Sequence, residues 1–178
     1  MLDPVSFRMS TSLIIGVDNG ISGALVALST VAGLPPVAVL PMPTQDRGSG
    51  NGREIDIKAV NRWINDLAVD SAHITMIIER PGKHSPGVKS LCSMWDSFGR
   101  LCAYAELKRL RHVLVNPQTW QKTMLPGCAK GQTKPFALTV ARRLWPAETW
   151  LATPRSKKPD EGLIDAALIA EYARTKQL

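Results

Sequence analysis

The chain has 178 residues, with 22 Lys or Arg against 15 Asp or Glu, a formal charge of +7 and a pI near 9.6. Hydrophobic residues at 44% and charged residues at 21% describe an ordinary globular chain, which excludes disordered and fibrous classes and makes one domain the expectation. No uninterrupted apolar run reaches the roughly 18 residues of a membrane-spanning helix, so an integral membrane protein is excluded on that signal.

Residues 1–9 read as a leader or extension and 10–178 as a single domain. Ser12 to Val17 is a short apolar run ending in Asp18-Asn19-Gly20, and Ala24 to Leu28 is a second, so the spacing predicts two strands joined by a Gly-rich turn. Val37 to Leu40 is a third predicted strand, and Gln45 to Arg53 is a mobile loop by composition. Ile57, Val60, Ile64 and Leu67 recur at helical spacing from Asp56 onward. Ile74 to Ile78 is too short for a helix and reads as a buried strand running into Glu79. A Pro/Gly-rich loop from Pro81 to Gly87 leads into a long helix to about Arg109. Its apolar stripe is Val88, Leu91, Trp95, Phe98, Cys102 and Ala105, close to a heptad rhythm. Val113 to Val115 is another strand, Pro117 opens a helix carrying Trp120, and helices over Lys134–Trp145 and about Asp160–Arg174 complete the chain. This order predicts a mixed α/β layer protein in which an antiparallel meander leads into parallel strands.

The charge is concentrated. Residues 122–158 carry Lys122, Lys130, Lys134, Arg142, Arg143, Arg155, Lys157 and Lys158 against one acid, Glu148, and the rest of the chain is balanced. A localised positive field points to a polyanionic partner, most simply nucleic acid; the alternative is a solvated basic face. Cys92, Cys102 and Cys128 are odd in number and lack metal-ligand spacing, so they read as reduced thiols of a cytosolic type of compartment.

Two carboxylates, Asp18 and Glu79, end predicted buried strands, where burial is costly unless a cation or donor meets them. A third cluster, Asp160, Glu161 and Asp165, opens the last helix. At 100° per residue Glu161 and Asp165 lie about 40° apart on one face, whereas Asp160 lies about 140° from Asp165 and fits an N-cap. Glu161 also suits the positive end of the helix dipole. Asp165 sits among Leu163, Ile164, Ala166, Ala167, Leu168 and Ile169, where a carboxylate needs a partner. Four oxygen ligands without His or Cys suit a hard cation, Mg²⁺ or Mn²⁺, and two such ions about 4 Å apart can drive phosphodiester hydrolysis.

Taken in order, GVDNGISGALVAL (16–28), MIIER (76–80), VNPQTWQK (115–122), VARRLWP (140–146) after Lys134, and EGLIDAALIAEYA (161–173) resemble the RuvC-type Holliday junction resolvases of the RNase H-like superfamily. The resemblance spans about residues 12 to 174 and is nearest the phage and organellar branch. It implies an RNase H-like fold, a five-stranded mixed sheet flanked by helices, and a homodimer that makes paired Mg²⁺-dependent nicks in four-way DNA junctions. It further implies that Asp18 bridges two metals, Glu79 binds one, and Asp165 completes the set. Relatives place an Asp or His three residues before the final Asp. Here that residue is Gly162, and Glu161 is the available substitute. Asn19 stands where many relatives have Pro.

The family's basic contacts near the scissile bond map onto Lys122 and Lys134, one of which would stabilise charge on the phosphate and so act catalytically. Arg80, Lys83 and His84, in the loop that relatives direct to the junction centre, join Lys130, Arg155, Lys157 and Lys158 as expected DNA contacts. For His84 an ordinary exposed loop histidine is an equal alternative. The stripe of the long helix serves packing on the sheet, the dimer interface that the family places on part of it, or both, and Trp120 and Trp145 would serve the core or interface rather than stack on bases. The implied setting is the cytoplasm of a bacterial or phage-infected cell, or an organelle matrix if a transit peptide has been removed. Other branched or RNA-containing substrates stay open, as does a helicase partner. So does a second class, a non-catalytic nucleic-acid-binding module. A third, a sugar-kinase-like phosphotransferase, matches GVDNGISGA but lacks a second phosphate motif.

Overall fold

In the computed structural model, which describes residues 12–48, 52–82 and 87–178, five strands form one mixed sheet between two layers of helices. Strands β1 (Leu13–Asp18), β2 (Ala24–Ser29) and β3 (Ala38–Pro41) make the antiparallel meander. A hairpin follows, β4 (Thr44–Asp46) and β5 (Arg53–Ile55), then helix α1 (Ile57–Asp66). Strand β6 (Ile74–Glu79) lies parallel to β1. Helix α2 (Val88–Leu107) then crosses to β7 (Arg111–Val115), parallel to β6. Helices α3 (Pro117–Met124), α4 (Thr133–Leu144) and α5 (Glu161–Lys176) close the chain, and the sheet order is β3-β2-β1-β6-β7.

Strand alternation divides the core. Leu13, Ile15, Val17, Leu25, Ala27, Ile74, Met76 and Ile78 face one layer with Val60 and Ile64 of α1 and Leu101, Tyr104 and Ala105 of α2. Ile14, Ala24, Val26, Leu28 and Ile77 face the other, with Trp120 of α3, Val140 and Ala141 of α4 and the buried length of α5. The period of two therefore puts Asp18, in phase with Ile14, and Glu79, in phase with Ile77, on the α5 side of the sheet.

One expectation is corrected. Gln45 to Arg53 is not simply a loop. Thr44–Asp46 pairs with Arg53–Ile55, and a charge network holds this hairpin to α2. In it Arg47 meets Asp96 at 2.7 Å, and Arg100 meets Glu54 at 2.7 Å and Asp96 at 3.1 Å. The ends of this stretch are rich in charge that pairs across the hairpin, which composition alone does not register. The expected stripe on α2 is covered in part: Ala105 is buried and Phe98 and Cys102 pack on the core beside Leu101 and Tyr104, whereas Val88 and Trp95 are exposed, because the helix contacts the sheet through its C-terminal half.

Candidate active site

Asp18 and Glu79 terminate neighbouring parallel strands, each one residue beyond the last register pair, Val17 with Ile78. Main-chain pairing along two buried strands thus brings together residues 61 positions apart in the sequence. Asp18 Oδ1 accepts from Gly20 N at 3.2 Å, an Asx-type turn. Glu79 Oε1 accepts from the indole N–H of Trp120 at 2.6 Å, and the Asn19 side chain donates to the Glu79 main-chain carbonyl.

Helix α5 brings Asp165 to these strand ends through two points of close backbone approach. A Cβ on Gly16 would collide with the Ala166 carbonyl and lie 2.6 Å from Ala170 N; one on Gly162 would lie 2.7 Å from Gly23 Cα. Gly162, which the family comparison treats as a lost ligand, is thus where the helix rests on the β1–β2 turn. Asp160 caps α5, accepting from Leu163 N at 2.9 Å, as its helical phase predicts. Glu161 is exposed and ion-paired with Lys134 at the start of α4.

The electrostatics tie the three half-buried carboxylates into one site. Burial raises Asp18 above the ordinary carboxylate range against the Gly20 hydrogen bond, and the Asp160 charge adds to the rise. Burial pushes Glu79 up to about 7; Trp120 opposes this, while the charges of Asp18 and Asp165 reinforce it. Asp165 is likewise raised to about 7 by burial and by the charges of Asp18 and Glu161, with Lys134 opposing. Lys134 is raised by its hydrogen bond to Glu161. Among the described residues no three His, Cys, Asp or Glu side chains close into a group placed to hold an ion. The donor set nonetheless fits one: half-buried carboxylates of three different elements, with the charge of Asp18 felt by both of the others, are short of positive charge, and their hard oxygens match Mg²⁺ or Mn²⁺.

Of the other expected positions, Lys122 and Lys130 are exposed and line a cleft of about 360 Å³ with Gln118, Gln121 and Thr133. Arg155, Lys157 and Lys158 are exposed on the loop before α5. That loop is anchored by Asp160 N donating to the Trp150 carbonyl at 2.7 Å and by Trp150 packing edge-on against Trp145 at 5.5 Å. Arg80 is exposed directly beyond Glu79. Lys83 and His84 lie outside the described residues. Trp120 and Trp145 are buried, which fits the core role and removes base stacking as their alternative. Asn19 and Trp120 are the residues that the sequence reading passed over as partners of Glu79. A buried Asn directly after a strand-end Asp is the one signal that pointed to the first.

No protein-family model matches the chain, and no curated protein matches it. Solved structures do. Thermus thermophilus RuvC in complex with a Holliday junction substrate is similar at a TM-score of 0.55 and 16% identity, covering 93% of this chain and 96% of that one. A second Thermus thermophilus RuvC structure is similar at 0.53 and 12%, with the same coverage. The chain has the RuvC-type, RNase H-like fold.

Proposed function

We propose that the protein is a divalent-metal-dependent endonuclease of branched DNA that resolves four-way junctions by paired symmetric nicks as a homodimer, in recombination and repair. The observation that carries this is the meeting of Asp18, Glu79 and Asp165, from β1, β6 and α5, as half-buried carboxylates in which Asp18 raises the pKa of the other two and Asp165 raises that of Glu79, on a RuvC-type fold. These three, with Glu161 as a fourth, would hold two Mg²⁺ ions. When bound, the ions would activate a water and stabilise the leaving oxygen. Asn19 and Trp120 hold Glu79 in position. Lys134 carries its ammonium beside Glu161, where it can meet the charge that develops on a phosphate. Lys122, Lys130, Arg155, Lys157 and Lys158 supply phosphate contacts around the same layer, and Arg80 supplies one at the strand ends.

A specific observation favours a second reading, a non-catalytic nucleic-acid-binding module: the carboxylates do not close into a group, and Glu161 is already paired. One assay separates the two. Purified protein, Mg²⁺ and labelled four-way, three-way and linear DNA should give paired nicks in the branched substrates only, and Asp18→Asn should abolish them while retaining junction binding. Binding without cleavage in both Mg²⁺ and Mn²⁺ selects the module, and cleavage of linear DNA at equal rate removes the branched substrate class.

A further inference from the structure

Residues 29–41, from the end of β2 through β3, carry no charge, and Val31, Leu34, Val37 and Val39 stand 39–56% exposed among them. They are half of the eight large apolar side chains that are exposed among the described residues. The helical layer holds the loop in this posture. Arg174 of α5, nearly buried and ion-paired with Glu171, donates to the Ser29 carbonyl at 3.2 Å and to the Val31 carbonyl at 2.8 Å. Trp145 Nε1, at the end of α4, donates to the Leu34 carbonyl at 3.2 Å. Strand β3 is an edge of the sheet. Met42 N bonds the Gly23 carbonyl, so by antiparallel alternation Val39 sits in a non-hydrogen-bonded pair with Val26. Its own N–H and C=O therefore point off the edge. Ser29 pairs with Leu13, which puts this corner at the opposite end of β1 from Asp18, about 17 Å along the strand.

We propose that this corner seats a short extended segment of another protein, one that alternates apolar residues with Asp or Glu. A nearly buried ion pair is a costly way to hold a loop, and here it fixes apolar side chains outward. The surface is thus formed in advance, and little ordering is left for binding to impose. Val39 offers one donor and one acceptor to an added strand, whose alternate side chains would lie on the exposed valines. Pro35, Pro36 and Pro41 interrupt the edge on either side, which admits a short segment and blocks open-ended sheet growth. The surrounding charge selects the sign of the partner. Arg142 and Arg143 are exposed in the last turn of α4, just before Trp145, and Lys176 is exposed in the last turn of α5; Glu148 is the one acid between residues 142 and 150. A second copy on the same edge would set these cations against their own kind, and a DNA arm would lay phosphates on valines. An acidic, apolar segment satisfies both the patch and its rim. The surface lies outside the proposed catalytic site and serves with or without cleavage.

A random peptide library displayed on phage is selected against the full chain, and the enriched sequences are made as synthetic peptides and titrated by fluorescence anisotropy and amide NMR shifts. They should alternate apolar and acidic residues, shift the amide resonances of Val31, Val37 and Val39, and bind more weakly as salt is raised. Val39→Glu should weaken them about 10-fold or more and leave junction binding at the native level, whereas Val39→Thr, which keeps the branched shape, should lose less. Thermal melts check that both variants fold. Enriched peptides without acids, shifts confined to another face, or no enrichment at all overturn the proposal. An oligomer of the free chain that Val39→Glu dissociates in sedimentation assigns the corner to a second copy. Shifts of Val31 and Val39 on adding duplex DNA assign it to nucleic acid. Either result also overturns the proposal, and none of them touches the nuclease reading.

Discussion

The indole N–H of Trp120 donates to Glu79 Oε1 at 2.6 Å, joining a helix on the basic side of the chain to a carboxylate at the end of a central strand. The bond holds a side chain that burial and two neighbouring negative charges would otherwise keep protonated, because it favours the ionised form. Trp120→Phe keeps the buried ring and removes only the donor. Glu79 should then titrate above its present value of about 7, and Mg²⁺ affinity at neutral pH should fall about 10-fold, the scale of losing a ligand-orienting contact. Mg²⁺ titration followed by calorimetry, with a pH profile of cleavage, checks both. An unchanged profile would detach Trp120 from the site.

The contact of α5 with the β1–β2 turn leaves no room at Gly162. In a helix Gly→Ala ordinarily stabilises by roughly 1 kcal/mol. Here the added Cβ would lie 2.7 Å from main-chain atoms, and overpacking should reverse the sign, destabilising by about 1–3 kcal/mol. Gly162→Asp, the substitution that family analogy invites, should cost at least as much and fail to improve metal binding. Denaturant melts of the two variants decide this, and a stabilised Gly162→Ala would show that the helix can lift from the turn.

The raised carboxyls give the metal-free protein an inverted pH dependence. Glu79 and Asp165 stand at about 7 against ordinary values of 4.5 and 3.8, so the folded protein binds these protons more tightly than the unfolded chain does. Their contribution is fully present below the unfolded values and is lost as pH rises through about 7. It is on the order of 3 kcal/mol for either group alone. In EDTA, Tm should fall between pH 5 and pH 8. Saturating Mg²⁺ should flatten or reverse that slope, since a cation favours the ionised forms. A Tm that rises over this interval in EDTA would contradict the electrostatic account.

Lys134 and Glu161 pair in the open, with side chains 70% and 56% exposed, where an ion pair contributes little to stability. Lys134→Ala should therefore leave Tm unchanged. If the ammonium stabilises charge on the phosphate, nicking should fall about 10²-fold while junction binding weakens only slightly. Single-turnover cleavage beside a binding titration separates these effects, and a loss confined to binding would make Lys134 an ordinary phosphate contact.

The sequence by itself determined the five strands of the main sheet, the helices and the placing of three acids at the ends of apolar strands and within an apolar helix, because each signal is local. LIIGVD and ITMIIE are apolar runs that end in an acid, and EGLIDAALIA sets one acid in an apolar helix. The concentration of basic residues over 122–158 was equally plain, and α3, α4 and the following loop carry it in the same layer as α5. Even the facing of Asp18 and Glu79 was implicit in the period of two along each strand.

What needed the tertiary structure was everything that depends on which surfaces meet. Position 162 read as a missing ligand until α5 was seen resting on Gly23, and Asn19 read as a turn residue until its side chain was seen reaching β6. Trp95 belongs to the apolar stripe of its helix, yet α2 meets the sheet along its C-terminal half and leaves that ring exposed. Periodicity states that a helix has an apolar side. How far along its length that side is covered is decided by the elements packed against it.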